Sequence, residues 1–204
     1  MTTNQHPIPA LDDAAGLQRA AIDNLFVGMM NHAQLAEEGG PMIMTGASGI
    51  RIKDIHGKEY IDLIAGMYFR NVGHGREEIA KAVYEQLSTV SMNVYGGATP
   101  VIIRLAAKLA SLTPGDLSRV FFSQGGSDAN ETALKMAQAY HVRRGDRGRF
   151  KVISRRGSYH GATYGTMWLG GHPGFPRTDY QPAPANVVHV PQPNPYRCEL
   201  GGET

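Results

Sequence analysis

The segment spanning residues 121–135, FFSQGGSDANETALK, constrains the fold of this chain more than any other stretch. Residues 119–122 form a short apolar and aromatic run, which is typical of a buried parallel strand. Gly125 and Gly126 follow where the chain must turn, and small and apolar residues then recur at helical spacing. The segment therefore predicts a strand, a tight turn and a helix.

This turn has the properties of an anion-binding site. The start of a helix carries unpaired N–H groups and the positive end of the helix dipole, and a loop without Cβ atoms lets an anion approach them. Ser127 either donates its hydroxyl to such an anion or caps the helix. The alternative from the pattern itself is an ordinary strand-to-helix turn with a capping serine and no ligand.

Composition excludes several classes of protein. The 204 residues are 42% hydrophobic and 19% charged, a globular balance, and the net charge of +2 comes from interspersed charges rather than a basic run. We therefore predict no nucleic-acid partner and no membrane partner. A single cysteine, Cys198, and an N-terminus without signal-peptide features favour a cytoplasmic protein. His74 has no carboxylate or second histidine at ligand spacing, so we assign it no catalytic role and predict no metal site.

The remaining chain divides into elements of ordinary length. Residues 1–10 are predicted to be a loose arm. Apolar spacing predicts helices, and short apolar runs between glycine turns predict strands, the first three forming an antiparallel meander. The predicted helices are 12–38, 76–87 and 99–112, and the predicted strands are 41–45, 49–54, 59–63, 150–154 and 186–190.

Three segments resemble class III pyridoxal-phosphate aminotransferases, the ω-transaminase group. Residues 121–135 are similar to the family's cofactor-phosphate loop and the helix after it. Residues 153–165, ISRRGSYHGATYG, are similar to its strand and Tyr-His-Gly segment. Residues 66–75, GMYFRNVGHG, are similar to a Gly-x-x-x-x-Asn-x-Gly-His-Gly passage that follows the strands of the small domain.

The resemblance implies an α/β protein of aminotransferase fold type I, of which this chain holds the first part. It implies an N-terminal arm and small-domain portion over residues 1–70. Residues 71–204 would be an incomplete, parallel-rich large domain with helices. The strands 119–122 and 150–154 should be parallel, so that their carboxyl ends bring Gly126 and Tyr159 together.

The resemblance also implies the residues of the site. Pyridoxal 5'-phosphate is the expected cofactor, Gly125, Gly126 and Ser127 would hold its phosphate, and the ring of Tyr159 would stack on its pyridine. His160 follows on the same loop and belongs to the expected cofactor set. The expected substrate pocket comprises Tyr68 as a wall, with Met92 and Tyr95 supplied by the partner subunit of a homodimer.

The chemistry of transamination requires two further residues. A lysine amine must form the Schiff base, and a carboxylate must keep the pyridine nitrogen protonated. Lys135, the nearest lysine to the turn, lies two turns into a helix that leads away from the phosphate, so both residues are expected beyond Thr204. The complete enzyme would transfer an amino group from an amine or ω-amino acid to a keto acid such as pyruvate. The chain by itself would be inactive.

Two alternatives use the same residues differently. Residues 125–129 match a Gly-x-Ser-x-Gly nucleophile elbow with alanine in the last place, which would make Ser127 the nucleophile of a serine hydrolase. His160 or His189 would then be the base and Asp179 the orienting group. The other alternative is a non-catalytic half-fold that serves as a binding or dimerisation module.

Overall fold

The computed structural model describes residues 13–28, 30–175 and 177–197. The chain divides into two units, Met1–Thr99 and Pro100–Thr204. The predicted arm at residues 1–10 and Cys198 lie outside the described residues. The predicted division after residue 70 concerns the domains of a complete enzyme and stays a prediction.

Two helices open the first unit in place of the single one predicted over residues 12–38. Helix α1 (Ala14–Asn24) begins at Asp13, whose carboxylate accepts a backbone N–H of the first turn. Helix α2 (His32–Glu37) begins at Asn31, whose side chain accepts two such N–H groups. The single-helix prediction was wrong because Asn31 starts a new helix with its own cap.

The antiparallel meander is confirmed. Strand β1 (Met44–Ser48) pairs with β2 (Arg51–Asp54), which pairs with β3 (Glu59–Ile61), in the order β1-β2-β3. The turn between β2 and β3 is closed by the buried carboxylate of Asp54. It accepts the Tyr60 hydroxyl at 2.9 Å and two backbone N–H groups of the turn. Burial raises the pKa of Asp54, but these hydrogen bonds outweigh it, so the pKa lies below its ordinary value.

The first unit continues with two further elements, a single turn α3 (Ala65–Tyr68) and the helix α4 (Glu77–Thr89). The second unit opens with helix α5 (Pro100–Ala110). Helices α4 and α5 confirm the two predicted over residues 76–87 and 99–112. No helix in the described part of the chain has the length and apolar character needed to cross a membrane.

Helix α6 (Gly126–Arg143) starts at the predicted turn. It is followed by strand β4 (Val152–Arg155), helix α7 (Tyr164–Leu169) and strand β5 (Val187–Val190). Strands β4 and β5 are parallel neighbours. The apolar residues that are buried among those described are both on α7, Trp168 at 5% exposure and Leu169.

The strand predicted over residues 119–122 is absent from the structure, and that prediction was wrong. Phe121 is 62% exposed and Phe122 37%. A strand needs a hydrogen-bonded neighbour, and no described residue pairs with 119–122, while β4 pairs with β5 alone. The expected parallel pair of residues 119–122 with 150–154 is therefore not formed.

Candidate active site

The start of α6 lacks a side-chain cap. Gly125 is its N-cap, with extended backbone, and its carbonyl accepts the Ala129 N–H at 2.9 Å. The alternative in which Ser127 caps the helix is wrong, because Ser127 already lies inside the first turn. The first N–H groups of an 18-residue helix thus point outward without a capping side chain.

The two glycines leave open space over these N–H groups. The φ of Gly125 is −177°, an extended value that any residue adopts, and Gly126 begins a regular helix. A Cβ added at either position would meet no atom within 4 Å. Neither backbone conformation nor packing within the chain requires glycine here, so the space is available to a ligand. The site therefore fits a phosphate group.

Ser127 joins this turn to the Tyr-His-Gly segment. Its Oγ accepts the N–H of Ala162 at 3.0 Å, which leaves the hydroxyl proton for a further acceptor. A serine nucleophile donates its hydroxyl to a histidine, but among the described residues the Ser127 hydroxyl is hydrogen-bonded to none. The two segments meet as expected, but by this contact rather than at the ends of two neighbouring strands.

Tyr159 lies on the loop between β4 and α7. The residue is 55% exposed, and its ring contacts the ring of Phe175 with centroids 5.1 Å apart. The next residue, His160, is half-buried, and its carbonyl accepts the side-chain amide of Asn130 at 2.8 Å. One face of the Tyr159 ring can therefore receive a ligand, and the backbone beside it is held by α6.

The predicted substrate residues belong to the first unit. Met92 and Tyr95 lie in the irregular segment between α4 and α5, and both are exposed. Tyr68 closes the turn α3, where four consecutive residues have φ between 48° and 78°. Such left-handed backbone is costly for residues other than glycine. Tyr68 is 78% exposed, and its backbone is held in an unusual conformation.

The turn α3 is held by Asp62, a contact that the sequence analysis missed. Its carboxylate accepts the N–H of Gly66 at 2.7 Å and of Ile64 at 3.3 Å. It also lies 2.9 Å from Nε2 of His74, a carboxylate partner that residue spacing in the sequence did not indicate. The two residues are 12 apart in sequence and meet because the chain around His74 pairs with Gly49 beside the meander. An Asx-turn pattern at Asp62 signals the hydrogen bond to Ile64 in the sequence, and residue spacing does not signal the one to His74.

The hydrogen bond from His74 lowers the pKa of the Asp62 carboxyl. Burial opposes this effect, and the N–H groups of Gly66 and Ile64 reinforce it. The net pKa is below the ordinary value for aspartate. The carboxylate thus stays ionised while it holds the turn.

A cavity of about 330 Å³ in the second unit lies beside the Tyr159 loop. It is lined by Trp168, Phe175, Arg177 and His189, among others, and by none of the residues predicted to bind the cofactor or the amine. Arg177 donates to the carbonyls of Gly170 and Trp168, so backbone oxygens occupy its guanidinium. The described residues contain no group of three or more side chains that could hold a metal ion.

Comparison with known proteins shows the family of the chain. The family described as Aminotransferase class-III matches residues 34–203. A probable aminotransferase of Mycobacterium tuberculosis is 38% identical over 190 residues, which is 93% of this chain and 40% of that protein. An (S)-enantioselective ω-transaminase from Thermomicrobium roseum has the same fold with a TM-score of 0.86 and 38% identity, covering 93% of this chain and 42% of that one.

A second solved structure, the ω-transaminase of Pseudomonas jessenii in complex with PMP, gives a TM-score of 0.84 at 34% identity. It covers 92% of this chain and 42% of its own. The chain belongs to the class III aminotransferase family. The predicted family, the α/β fold of type I and the family's use of pyridoxal phosphate are thereby confirmed. The chain spans about two fifths of the length of these relatives.

Proposed function

We propose that this chain holds the phosphate-binding part of an aminotransferase that transfers an amino group from an amine or ω-amino acid to a keto acid such as pyruvate. The observation that carries the proposal is the start of α6, where two glycines leave uncapped N–H groups open to a ligand. When bound, pyridoxal phosphate supplies an electron sink for the amine carbon. The family membership of the chain supports the same reaction class.

Each residue of the cofactor set has a distinct task in this proposal. The N–H groups at Gly125 and Gly126 bind phosphate oxygens, and Ser127 donates the proton that its contact with Ala162 leaves available. The exposed face of Tyr159 stacks on the pyridine ring. His160 lines the same loop at the side of the cofactor.

The substrate side and the assembly are proposed from the first unit. Tyr68 forms a wall of the amine pocket, and its left-handed turn presents the exposed ring. Met92 and Tyr95 complete the pocket of a partner subunit, which their exposure supports and which requires a homodimer. The lysine and the aspartate that transamination needs stay predicted beyond Thr204, and we propose that the enzyme acts in the cytoplasm.

The phosphate assignment is tested by binding of pyridoxal phosphate to the wild-type chain and to a Gly126→Val/Ser127→Ala variant. A Cβ at Gly126 would meet no protein atom within 4 Å, so the variant should fold while the valine side chain fills the phosphate space. We expect at least a tenfold weaker Kd, a loss of about 1.4 kcal/mol. Gly148→Val, at another position where an added Cβ meets nothing, is the matched control. Equal affinity in all three proteins would overturn the assignment.

The reaction is tested with the protein purified from its native source. Incubation with pyruvate and an amine donor should yield alanine, detected by chromatography, and 2-oxoglutarate in place of pyruvate tests the choice of acceptor. Absence of amino transfer to either keto acid, in a preparation that binds pyridoxal phosphate, would favour the non-catalytic binding module instead.

A further inference from the structure

One face of α6 holds the loop that carries Tyr159. Ser127, Asn130 and Glu131 stand at positions i, i+3 and i+4 of the helix and therefore share a face. Ser127 accepts the Ala162 N–H at 3.0 Å, and Asn130 donates to the His160 carbonyl at 2.8 Å. We call these three side chains the clasp.

Glu131 contributes most of the clasp. Its Oε1 accepts the Thr163 hydroxyl at 2.7 Å, the Gly165 N–H at 2.9 Å and the Thr166 N–H at 3.1 Å. The last two are first-turn groups of α7, whose own N-cap residue, Thr163, makes no side-chain capping bond. A carboxylate from one helix thus performs the capping of another, across more than 30 residues of sequence.

The clasp fits the loop without spare room. A Cβ added at Gly165 would lie 2.5 Å from Glu131 Oε2 and 2.9 Å from its Cδ. A Cβ added at Gly161 would lie 2.6 Å from Ser127 Oγ, and the φ of +133° at Gly161 is itself unfavourable for other residues. These glycines, unlike Gly125 and Gly126, are required by the contact between α6 and the loop.

Tyr159 depends on this contact for its position. Upstream of it, β4 ends at Arg155, whose carbonyl accepts the Ser158 hydroxyl at 2.5 Å. Downstream, the first loop group that the clasp holds is the His160 carbonyl, which accepts the Asn130 side chain. Tyr159 as a whole is more than half exposed, and its ring contacts Phe175. The backbone anchors on either side, more than packing of the ring, therefore set where Tyr159 stands relative to the start of α6.

We propose that Glu131 is a positioning residue that acts through the loop to place the Tyr159 ring against the ring of the bound cofactor. The inference rests on the proposed function, because it takes the start of α6 as the phosphate site. The contribution is specific to the aromatic half of the ligand. The phosphate meets α6 directly and does not depend on the loop.

Two probes separate these halves. Pyridoxamine 5'-phosphate carries both ring and phosphate and has no aldehyde to react with lysines, whereas inorganic phosphate carries no ring. Calorimetric titration of the full chain with each probe compares wild type with Glu131→Ala, Glu131→Gln, Tyr159→Ala and the double variant. Gln138→Ala, exposed and two turns further along α6, is the matched control.

We expect Glu131→Ala to raise the Kd for pyridoxamine phosphate about threefold to tenfold, the range for a lost aromatic stack, and to leave the Kd for inorganic phosphate unchanged. Glu131→Gln should recover part of the affinity because its amide oxygen still accepts hydrogen bonds. In the Tyr159→Ala background, Glu131→Ala should have no further effect. Fluorescence of the chain's single tryptophan, Trp168, reports whether each variant is folded. If Glu131→Ala does not fold, the comparison of wild type with Glu131→Gln tests the positioning role.

Other outcomes overturn the inference. If Glu131→Ala loses affinity for both probes to the same extent, the role of Glu131 in the wild type is merely structural. A loss that is undiminished in the Tyr159→Ala background shows that Glu131 does not act through that ring. If the wild type binds both probes and no Glu131 variant differs from it, the positioning role is wrong and the proposed function stands. Wild type that binds neither probe overturns the proposed function and this inference with it.

Discussion

Tyr68 and Tyr159 each lie next to a segment that is held by a carboxylate, but the two carboxylates act over very different distances along the chain. Asp62 accepts N–H groups two and four residues ahead of it and the ring of His74. Glu131 accepts groups 32 to 35 residues ahead, on another element. The first holds a strained turn locally, and the second joins a helix to a loop.

The difference shows in the glycines. The turn at Tyr68 is left-handed at Ala65, Met67 and Tyr68 as well as at Gly66, so its strain is borne by ordinary residues and offset by Asp62. The loop at Tyr159 carries glycine at both points of closest approach, Gly161 and Gly165. The turn at Tyr68 tolerates strain because its hydrogen bonds close only short loops, which costs little chain entropy. The contact between α6 and the Tyr159 loop spans more than 30 residues and depends on steric fit.

Gly165→Ala should have the largest effect. The new Cβ displaces the Glu131 carboxylate, which is not free to move because it accepts three hydrogen bonds. We expect a loss of about 1–3 kcal/mol in the free energy of unfolding of the second unit. Urea titration followed by Trp168 fluorescence measures it. Gly148→Ala, where the Cβ meets nothing, should change stability by less than about 0.5 kcal/mol. Equal values for the two variants would show that the clasp contributes nothing.

Asp62→Ala should have a smaller and more local effect. Loss of the acceptor leaves the N–H groups of Gly66 and Ile64 and the His74 ring without their partner. Hydrogen exchange over residues 62–74 should become about tenfold faster, with the meander unaffected. Glu85→Ala, which removes an exposed carboxylate from α4, is the control. Faster exchange throughout the first unit would contradict a local role.

Acid should weaken the hydrogen bonds by which Asp62 holds the turn α3. The folded-state pKa of Asp62 lies below its ordinary value, chiefly because of the hydrogen bond from His74. Its stabilising contribution is therefore present above the unfolded pKa of about 3.9 and lost as the pH falls through the folded pKa. Thermal unfolding between pH 6 and pH 2.5 should show the wild type approaching Asp62→Asn in stability as the pH falls. A difference between wild type and Asp62→Asn that stays constant over this pH range would contradict the prediction.

Ala65→Gly should have the smallest effect, and it should stabilise. The φ of Ala65 is +48°, which costs an alanine about 1–2 kcal/mol, while glycine adds about 0.5–1 kcal/mol of chain entropy to the folding cost. The net gain should be about 0.5 kcal/mol in chemical denaturation followed by circular dichroism. Ala107→Gly within α5 should instead destabilise by about 1 kcal/mol. Destabilisation by both would mean that the turn at Ala65 is not strained.

Much of the fold could be predicted because the relevant signals are local. The helix α6, the meander and the helices α4 and α5 follow from residue spacing and glycine turns within a few residues of each element. The open glycines at the start of α6 belong to the same class of signal, since a turn between an apolar run and a helix is visible in the sequence. The resemblance of three segments was sufficient for the family.

Tertiary structure decided the rest. The apolar run at residues 119–122 has the composition of a strand, but a strand exists only beside a partner, and no described residue pairs with this run. His74 found Asp62, and Glu131 found the start of α7, because folding brought together groups 12 and more than 30 residues apart. The sequence by itself determined the meander, the helices α4, α5 and α6 and the family, since these depend on neighbouring residues. Which carboxylate holds which aromatic segment depended on three-dimensional proximity, which residue spacing does not encode.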